Sequence, residues 1–376
     1  MIEQELFPEV HGKMAVSPDT EGIKYAGSKL KLLPHILALA GRTDARTIFD
    51  GFSGTTRVSQ AFARCGYQVT LNDIAVWSET FGKCYLQAPN DKVHFNALLA
   101  HLNNVTPIDG WYTEHYGCAA DDLGFNGKKY PWQIHNTRKL DAIREEIERL
   151  NLSDIEKAVA LTSLILALDK VDSTLGHFVS YLREWAPRSY NSLLLRLPAI
   201  VNSNQKHEIL RSDIFEAAKN VECDLAYYDP PYGSNNEKMP PSRVRYASYY
   251  HIWTTIILND KPKLVGKANR RADVSDTLAG SLFEDFRQNE HGEFLAVSAI
   301  KELLQCTKAH WILLSYSSGG RATANELNKA ISESGKLVEV IEIDYKKHVM
   351  ANMKWTNEWL SEAEQANREF LFLIER

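Results

Sequence analysis

Residues 224–236, DLAYYDPPYGSNN, constrain this chain more than any other stretch. Leu225, Ala226, Tyr227 and Tyr228 are apolar or aromatic and read as a short buried β-strand. Pro230 and Pro231 must end it, because neither carries an N–H for a ladder hydrogen bond. The strand then stops at Asp229 with a carboxylate, a rigid turn and the ring of Tyr232 gathered at its carboxyl end. In open α/β sheets that edge is where ligands bind. A Pro-Pro turn capped by an acid can be purely structural. An acid before it, an aromatic after it and a strand leading in make a rarer combination.

Further strands are expected around it. ARTIFDGF (45–52) and YQVTLND (67–73) flank a helix, TTRVSQAFARCG, in which Val58, Ala61, Phe62 and Cys65 recur at helical spacing and Gly66 supplies the stop. Strand–helix–strand order implies a parallel, doubly wound α/β sheet of the Rossmann-like kind. Strand patterns resume at 207–213, 223–229, 310–317, 336–345 and 369–376. Residues 101–206 read instead as a mostly helical insertion. Leu140, Ile143, Ile147 and Leu150 share a helical face there, and Ser153 with Glu156 forms a capping box. The chain thus divides into 1–100, 101–206 and 207–376, with residues 1–22 as an arm.

At 376 residues, with 44% hydrophobic and 24% charged side chains, the composition is that of a globular protein. The longest apolar run, AVALTSLILAL (158–168), is too short to span a bilayer, and the acidic N-terminus MIEQELFPEV carries no secretory pattern. The five cysteines are far apart without a Cys-x-x-Cys pair, and no histidines stand at H-x-x-x-H or H-x-H spacing. Neither a disulfide scaffold nor a metal site is expected, and a reducing cytoplasm fits. The net charge of −5 does not advertise a nucleic-acid binder, but local clusters do. KPKLVGKANRR, read as a loop, holds Lys261, Lys263, Lys267, Arg270 and Arg271. KYAGSKLKLLPH holds Lys24, Lys29 and Lys31, and NGKKYPWQIHNTR sets Lys128, Lys129 and Arg138 beside Tyr130 and Trp132. Bases interleaved with aromatics suit phosphate contact plus stacking, although any one patch alone is an ordinary solvated loop.

The chemistry is concentrated in two places. In FDGFSGTTR (49–57), Gly51 and Gly54 permit a sharp turn and close approach of a ligand, while Ser53, Thr55 and Thr56 can cap the next helix. Asp73 closes the following strand nineteen residues beyond Gly54, where nucleotide-binding folds place an acid on the ribose hydroxyls. Neither G-x-G-x-x-G nor G-x-x-x-x-G-K-[ST] is present, so a ligand with a ribose and an adenine but no pyrophosphate is indicated. S-adenosylmethionine fits; on this loop alone a glycine turn with a surface acid fits as well. The second place is the DPPY cluster. The Asp229 carboxylate and the Pro230 carbonyl can together accept both hydrogens of an exocyclic amino group and so aim its lone pair. Tyr232 can stack on a heterocycle swung out of a helix.

These residues resemble the Dam-type, adenine-specific DNA methyltransferases, and among them the modification enzymes of type IIS restriction systems. KYAGSK (24–29) is similar to the family's methionine-binding motif, which would put Tyr25 and Lys29 on the cofactor. DGFSGTTR is similar to its F-x-G-x-G loop, which would bring in Phe52 and Gly54; Thr56 stands where the family often has a second glycine. The resemblance further implies Asp73 at the ribose, Asp213 of RSDIFE near the cofactor adenine, and Asp229, Pro230, Pro231 and Tyr232 as the catalytic motif. EFLFLIER resembles the last strand of the sheet. GHFVSYLREWAPRSYNSLLLRLP (176–198) resembles a segment of the type IIS group, and the insertion occupies the place of the target-recognition region.

The function this implies is transfer of a methyl group from S-adenosylmethionine to adenine N6 in double-stranded DNA, paired with a restriction endonuclease. Cytosine N4, an RNA adenine and a protein glutamine amide are alternative acceptors, and a catalytically inactive nucleic-acid-binding subunit is another reading. An acid at position 229 favours adenine. The Pro-Cys pair that cytosine C5 chemistry needs occurs nowhere.

Overall fold

The structure is a computed structural model that describes residues 17–122, 129–233, 245–274, 280–344 and 368–376. In chain order its strands are β1 (Thr47–Asp50), β2 (Gln68–Asn72), β3 (Gly117–Cys118), β4 (Trp132–Gln133), β5 (Glu208–Leu210) and β6 (Glu222–Tyr228). They continue with β7 (Leu264–Val265), β8 (Arg270–Arg271), β9 (Lys308–Ser317), β10 (Lys336–Asp344) and β11 (Arg368–Glu375). Seven form one sheet in the order β10-β11-β9-β6-β1-β2-β5, while β3-β4 and β7-β8 are separate two-stranded ribbons. The pairs from β5 across to β9 are parallel, and β11 lies antiparallel between β9 and β10. Tyr345, the last position of the strand expected over 336–345, lies outside the described residues.

The sheet is buried on both faces, which is why its strands read as unbroken apolar runs. Successive side chains point to opposite faces. Ile48, Leu225, Tyr227 and Leu313 accordingly join one core cluster, and Phe49, Ala226, Tyr228, Ile312 and Leu314 join the other. The first face is covered by α1 (Leu33–Ala40), α2 (Arg57–Arg64) and α3 (Val76–Gly82). Behind these lie α4 (Lys92–Asn103), α5 (Trp111–Tyr116), α6 (Ile134–Arg149) and α7 (Asp154–Val171). The second face takes α8 (Ile214–Asn220), and past α9 (Tyr246–Tyr249) and α10 (His251–Leu258) also α11 (Leu295–Cys306) and α12 (Ala324–Ser332).

The helices of the 101–206 segment share one apolar core with the sheet: Leu140, Ile143, Leu164 and Leu168 cluster with Ile48, Val69 and Leu71. α7 is apolar on nearly every side and is correspondingly buried along most of its length. Its start is the expected capping box, with Ser153 N donating to Glu156 Oε2 at 2.9 Å and Glu156 N donating to Ser153 Oγ at 3.3 Å. Of the arm, residues from 17 on are described, and Arg57 ties it down by donating to the carbonyls of Thr20 (2.6 Å) and Gly22 (3.0 Å). No helix among the described residues is long and apolar enough to cross a membrane. Among them no group of three or more His, Cys, Asp or Glu could hold a metal ion.

Candidate active site

From β1 the chain steps to β2 and β5 on one side, then returns to β6 and β9 on the other. The topological switch point therefore falls between the carboxyl ends of β1 and β6, the place where such sheets bind ligands. Both candidate motifs end up there. Asp50 pairs in register with Tyr227, and Gly51 N donates to the Tyr227 carbonyl at 3.0 Å, which sets the 51–56 loop beside the DPPY turn. Gly51 is required by this approach: a Cβ would stand 2.6 Å from the Tyr228 ring.

Beside the end of β2, Asp73 organises the loop. Its Oδ2 accepts from Gly54 N at 2.8 Å and its Oδ1 from Ala75 N at 2.9 Å. Each oxygen keeps a further lone pair, so the acid can hold the loop and still receive two ligand hydroxyls. Burial raises its pKa and the backbone N–H groups pull it back. Thr56 adopts φ 62°, ψ 11°, the left-handed conformation a glycine would take at no cost. A β-branched residue there stores strain on the order of 1–3 kcal/mol. The strain is held by bonds on both sides: Thr56 N donates to the Ser53 carbonyl at 2.6 Å, and Thr56 Oγ1 accepts from Gln60 Nε2 at 3.1 Å.

Tyr25, just past the arm, reaches the same place. Its ring stacks on Tyr250 (4.5 Å) and Tyr246 (5.3 Å), and a Cβ on Gly54 would lie 3.4 Å from it. Phe52 packs edge-on against Phe283 at 5.3 Å. Asp213 caps α8, its Oδ1 accepting from Phe215 N at 2.9 Å, at an exposed position beyond the end of β5.

The DPPY turn is tied into a five-residue network. Lys29, 6% exposed, places Nζ 3.0 Å from Asp229 Oδ1, donates to Tyr232 Oη at 2.7 Å and lies 3.5 Å from Glu369 Oε1. Tyr232 Oη in turn donates to Asp229 Oδ1, and stands 3.2 Å from both Glu369 Oε2 and Ser315 Oγ. Burial raises Asp229 and Glu369, with Lys29 opposing in each case. For Lys29, burial is outweighed by these two acids and its pKa rises. Tyr232, expected to stack on a base, here sits 4.9 Å from the Tyr316 ring with its hydroxyl turned onto Asp229. Ser234, Asn235 and Asn236, which follow the motif, lie outside the described residues.

An acid at the end of a central strand, an aromatic beside it and a glycine loop fastened to a second acid thus meet at one edge of the sheet. Residues 25–277 match the family described as D12 class N6 adenine-specific DNA methyltransferase. The chain belongs to this D12 class family. Among relatives, it is 27% identical to the modification methylase StsI of Streptococcus sanguinis, over 94% of this chain and 52% of that protein. It is 26% identical to the type II methyltransferase M.FokI of Planomicrobium okeanokoites, over 94% and 53% respectively. Against the type II methyltransferase M.NlaIII of Neisseria lactamica the identity is 25%, over 86% and 92%. The chain thus spans about half the length of the StsI and FokI enzymes.

Two parts of this D12 site were not singled out from sequence. Glu369 and Ser315 enter from β11 and β9, far from the motif in the chain, and no local pattern marks them. Asp50, by contrast, opens the quoted FDGFSGTTR loop. It is fully buried, its Oδ2 accepts from Ser59 Oγ at 2.5 Å, and its Oδ1 has no hydrogen-bond partner among the described residues. Burial pushes Asp50 up to about 7; Ser59 opposes this, and Asp229 and Asp73 add to it. Its folded pKa lies above its unfolded value of about 3.9. The folded state therefore keeps a proton that the unfolded chain releases, and stability should fall as pH rises through the window from about 4 to 7. Asp50→Asn should flatten that part of the profile, measured as urea midpoints across pH. An unaltered slope would show that Asp50 does not titrate there.

The basic segments divide. KPKLVGKANRR is a hairpin rather than a loop, built on β7 and β8, with Gly266 (φ 71°) and Asn269 (φ 51°) at its tip. Tyr116 Oη and Tyr181 Oη anchor the tip by donating to the carbonyls of Asn269 and Ala268, each at 2.8 Å. Arg271 does not suit the phosphate contact expected of it. It is 4% exposed, and its guanidinium is held at 2.7 Å by both oxygens of Asp260 and at 2.7 Å by Asp273 Oδ2. Lys261 lies 3.5 Å from Glu145, while Lys263 and Lys267 are exposed and Arg270 is half-buried. Lys24 is engaged by Asp172 at 2.7 Å and Arg138 by Asp109 at 2.7 Å. Lys128 lies outside the described residues.

Proposed function

We propose that the protein transfers a methyl group from S-adenosylmethionine to the exocyclic N6 of adenine in double-stranded DNA, as the modification partner of a restriction endonuclease. The observation that carries this is the meeting of Asp229 and Asp73 at one switch point: Asp50, in register with Tyr227, leads into the loop whose Gly54 N donates to Asp73. When bound there, S-adenosylmethionine supplies an electrophilic methyl group. Asp73 would take its ribose hydroxyls, the turn at Gly54 would leave room for it, and Tyr25 and Lys29 would border its amino-acid end. Asp213 and Phe52 would flank the adenine. Asp229 and the Pro230 carbonyl would accept the two N6 hydrogens of the target, so that the nitrogen lone pair faces the methyl carbon. Transfer to N6 would leave the electron pair of the broken carbon–sulfur bond on the sulfur, and the surplus N6 proton would pass to solvent water. Tyr232 would stack on a base swung out of the duplex, which requires its hydroxyl to leave Asp229.

The decisive experiment is transfer of labelled methyl groups to duplex DNA, with RNA, single-stranded DNA and total protein as competing acceptors. Label recovered as N6-methyladenine in duplex DNA is expected. Label on cytosine N4, RNA or protein would replace the substrate, and cofactor binding without transfer would favour an inactive binding subunit.

Base reading would fall to residues 101–206, and phosphate contact to the β7–β8 hairpin. Each phosphate contact releases counterions, so affinity should fall with salt. Changing Lys263, Lys267 and Arg270 together to alanine should weaken binding to every sequence alike and flatten the salt slope by roughly 0.9 per lost contact. Arg271→Ala should instead lower thermal stability, because Asp260 and Asp273 lose the guanidinium that neutralises them. An unchanged salt slope in the triple variant would make the hairpin a solvated surface.

A further inference from the structure

Glu369 is the second residue of β11, the one described strand that enters the sheet antiparallel between its neighbours, and its side chain is 13% exposed. It lies 137 residues from Tyr232 and 340 from Lys29 in sequence, yet faces both. The proton count in this cluster decides what it can do. The Tyr232 hydroxyl has one hydrogen and two carboxylates within reach, Asp229 and Glu369, and the shorter contact is to Asp229. The Lys29 ammonium has three hydrogens and three acceptors: Tyr232 Oη at 2.7 Å, Asp229 Oδ1 at 3.0 Å and Glu369 Oε1 at 3.5 Å. Asp229 Oδ1 therefore already carries two donors, and two events loosen them: Tyr232 must turn its hydroxyl away to stack on a base, and an amino group that claims this oxygen displaces a donor. A buried ammonium and a buried phenol cannot be left without partners when that happens.

The geometry points to Glu369 as a positioning residue for the reaction: it takes over Lys29 and the Tyr232 hydroxyl when the target amino group claims Asp229. This rests on the methyl-transfer reading, and it assigns the last strand a part in that chemistry. The displaced groups move by a change of partner rather than into solvent. Ser315 Oγ, 3.2 Å from Tyr232 Oη, gives the hydroxyl a second fixed neighbour as it turns. Without the Glu369 charge, Lys29 and Tyr232 hold Asp229 more tightly, and the amine meets an acceptor that is already occupied.

Glu369→Gln preserves shape and removes the charge. In the full-length chain it should lower kcat by about tenfold or more, the worth of a charge-assisted bond lost only on the way to reaction. KM for DNA and the dissociation constant for S-adenosylmethionine should stay within about threefold, which also reports an intact fold. Glu369→Asp, retaining the charge, should recover part of the turnover. Independently of turnover, the Lys29 ammonium followed by NMR should titrate lower in Glu369→Gln than in the native chain. Wild-type kcat in Glu369→Gln would overturn the role. So would a lost kcat with an unshifted Lys29 titration, because Glu369 would then be merely structural. If the native chain transfers no methyl group to DNA, the methyl-transfer reading fails, and an unmoved Lys29 titration separately rules out the Glu369 contact.

Discussion

Replacing Asp229 by alanine should reduce methyl transfer by about a thousandfold or more while leaving S-adenosylmethionine affinity within a few-fold of native. The size follows from the role. A fixed acceptor that orients the attacking nitrogen acts mainly in the transition state, and removing positioning and electrostatic groups of this kind costs orders of magnitude. The fold should survive, because Lys29 keeps Glu369 as a counter-charge and Tyr232 keeps Glu369 and Ser315 as partners. Burial also raises the Asp229 pKa, so its loss removes a carboxylate that is costly to desolvate. Label transfer and calorimetry on the same sample separate the two effects. Undiminished methylation would remove Asp229 from the chemistry.

The second large effect is expected at Asp73. Its carboxylate is proposed to receive two ribose hydroxyls, each worth on the order of 1.5–3 kcal/mol as a charge-assisted bond. It also holds Gly54 N and Ala75 N, so alanine at this position both removes ligand contacts and frees the loop beneath the ligand. Asp73→Ala should therefore weaken S-adenosylmethionine binding by about a hundredfold or more. Asp73→Asn, which keeps one acceptor oxygen, should lose less. Calorimetry showing native affinity in Asp73→Ala would take the acid out of the cofactor site. The affinity of the native chain for S-adenosylmethionine, measured in the same way, is the reference for both variants.

Much of this was legible because it is written locally. Strand alternation, the Pro-Pro stop after Asp229, the glycine turn and the acid at the end of β2 are each set within a few residues by backbone sterics and by burial on two faces. The Ser153–Glu156 capping box is local in the same way. The strain at Thr56 was not legible: the sequence marked only a threonine where the family often has glycine, and the structure showed that the position is left-handed.

What local patterns could not carry was partnership across the chain. KPKLVGKANRR reads as five equivalent bases, but the fold turns Arg271 inward onto Asp260 and Asp273 and leaves Lys263 and Lys267 outside. KYAGSKLKLLPH reads as one basic cluster, but Lys24 goes to Asp172 and Lys29 to Asp229. Glu369 gave no signal at all, since an acid at a strand end is ordinary until β11 inserts beside β9 and brings it to Tyr232. The sequence by itself determined the seven strands of the main sheet, its mostly parallel character and the acids that close β2 and β6. Only the tertiary structure decided which charges meet, because a buried charge is stable only beside a partner, and which partner lies within reach depends on how distant strands pair.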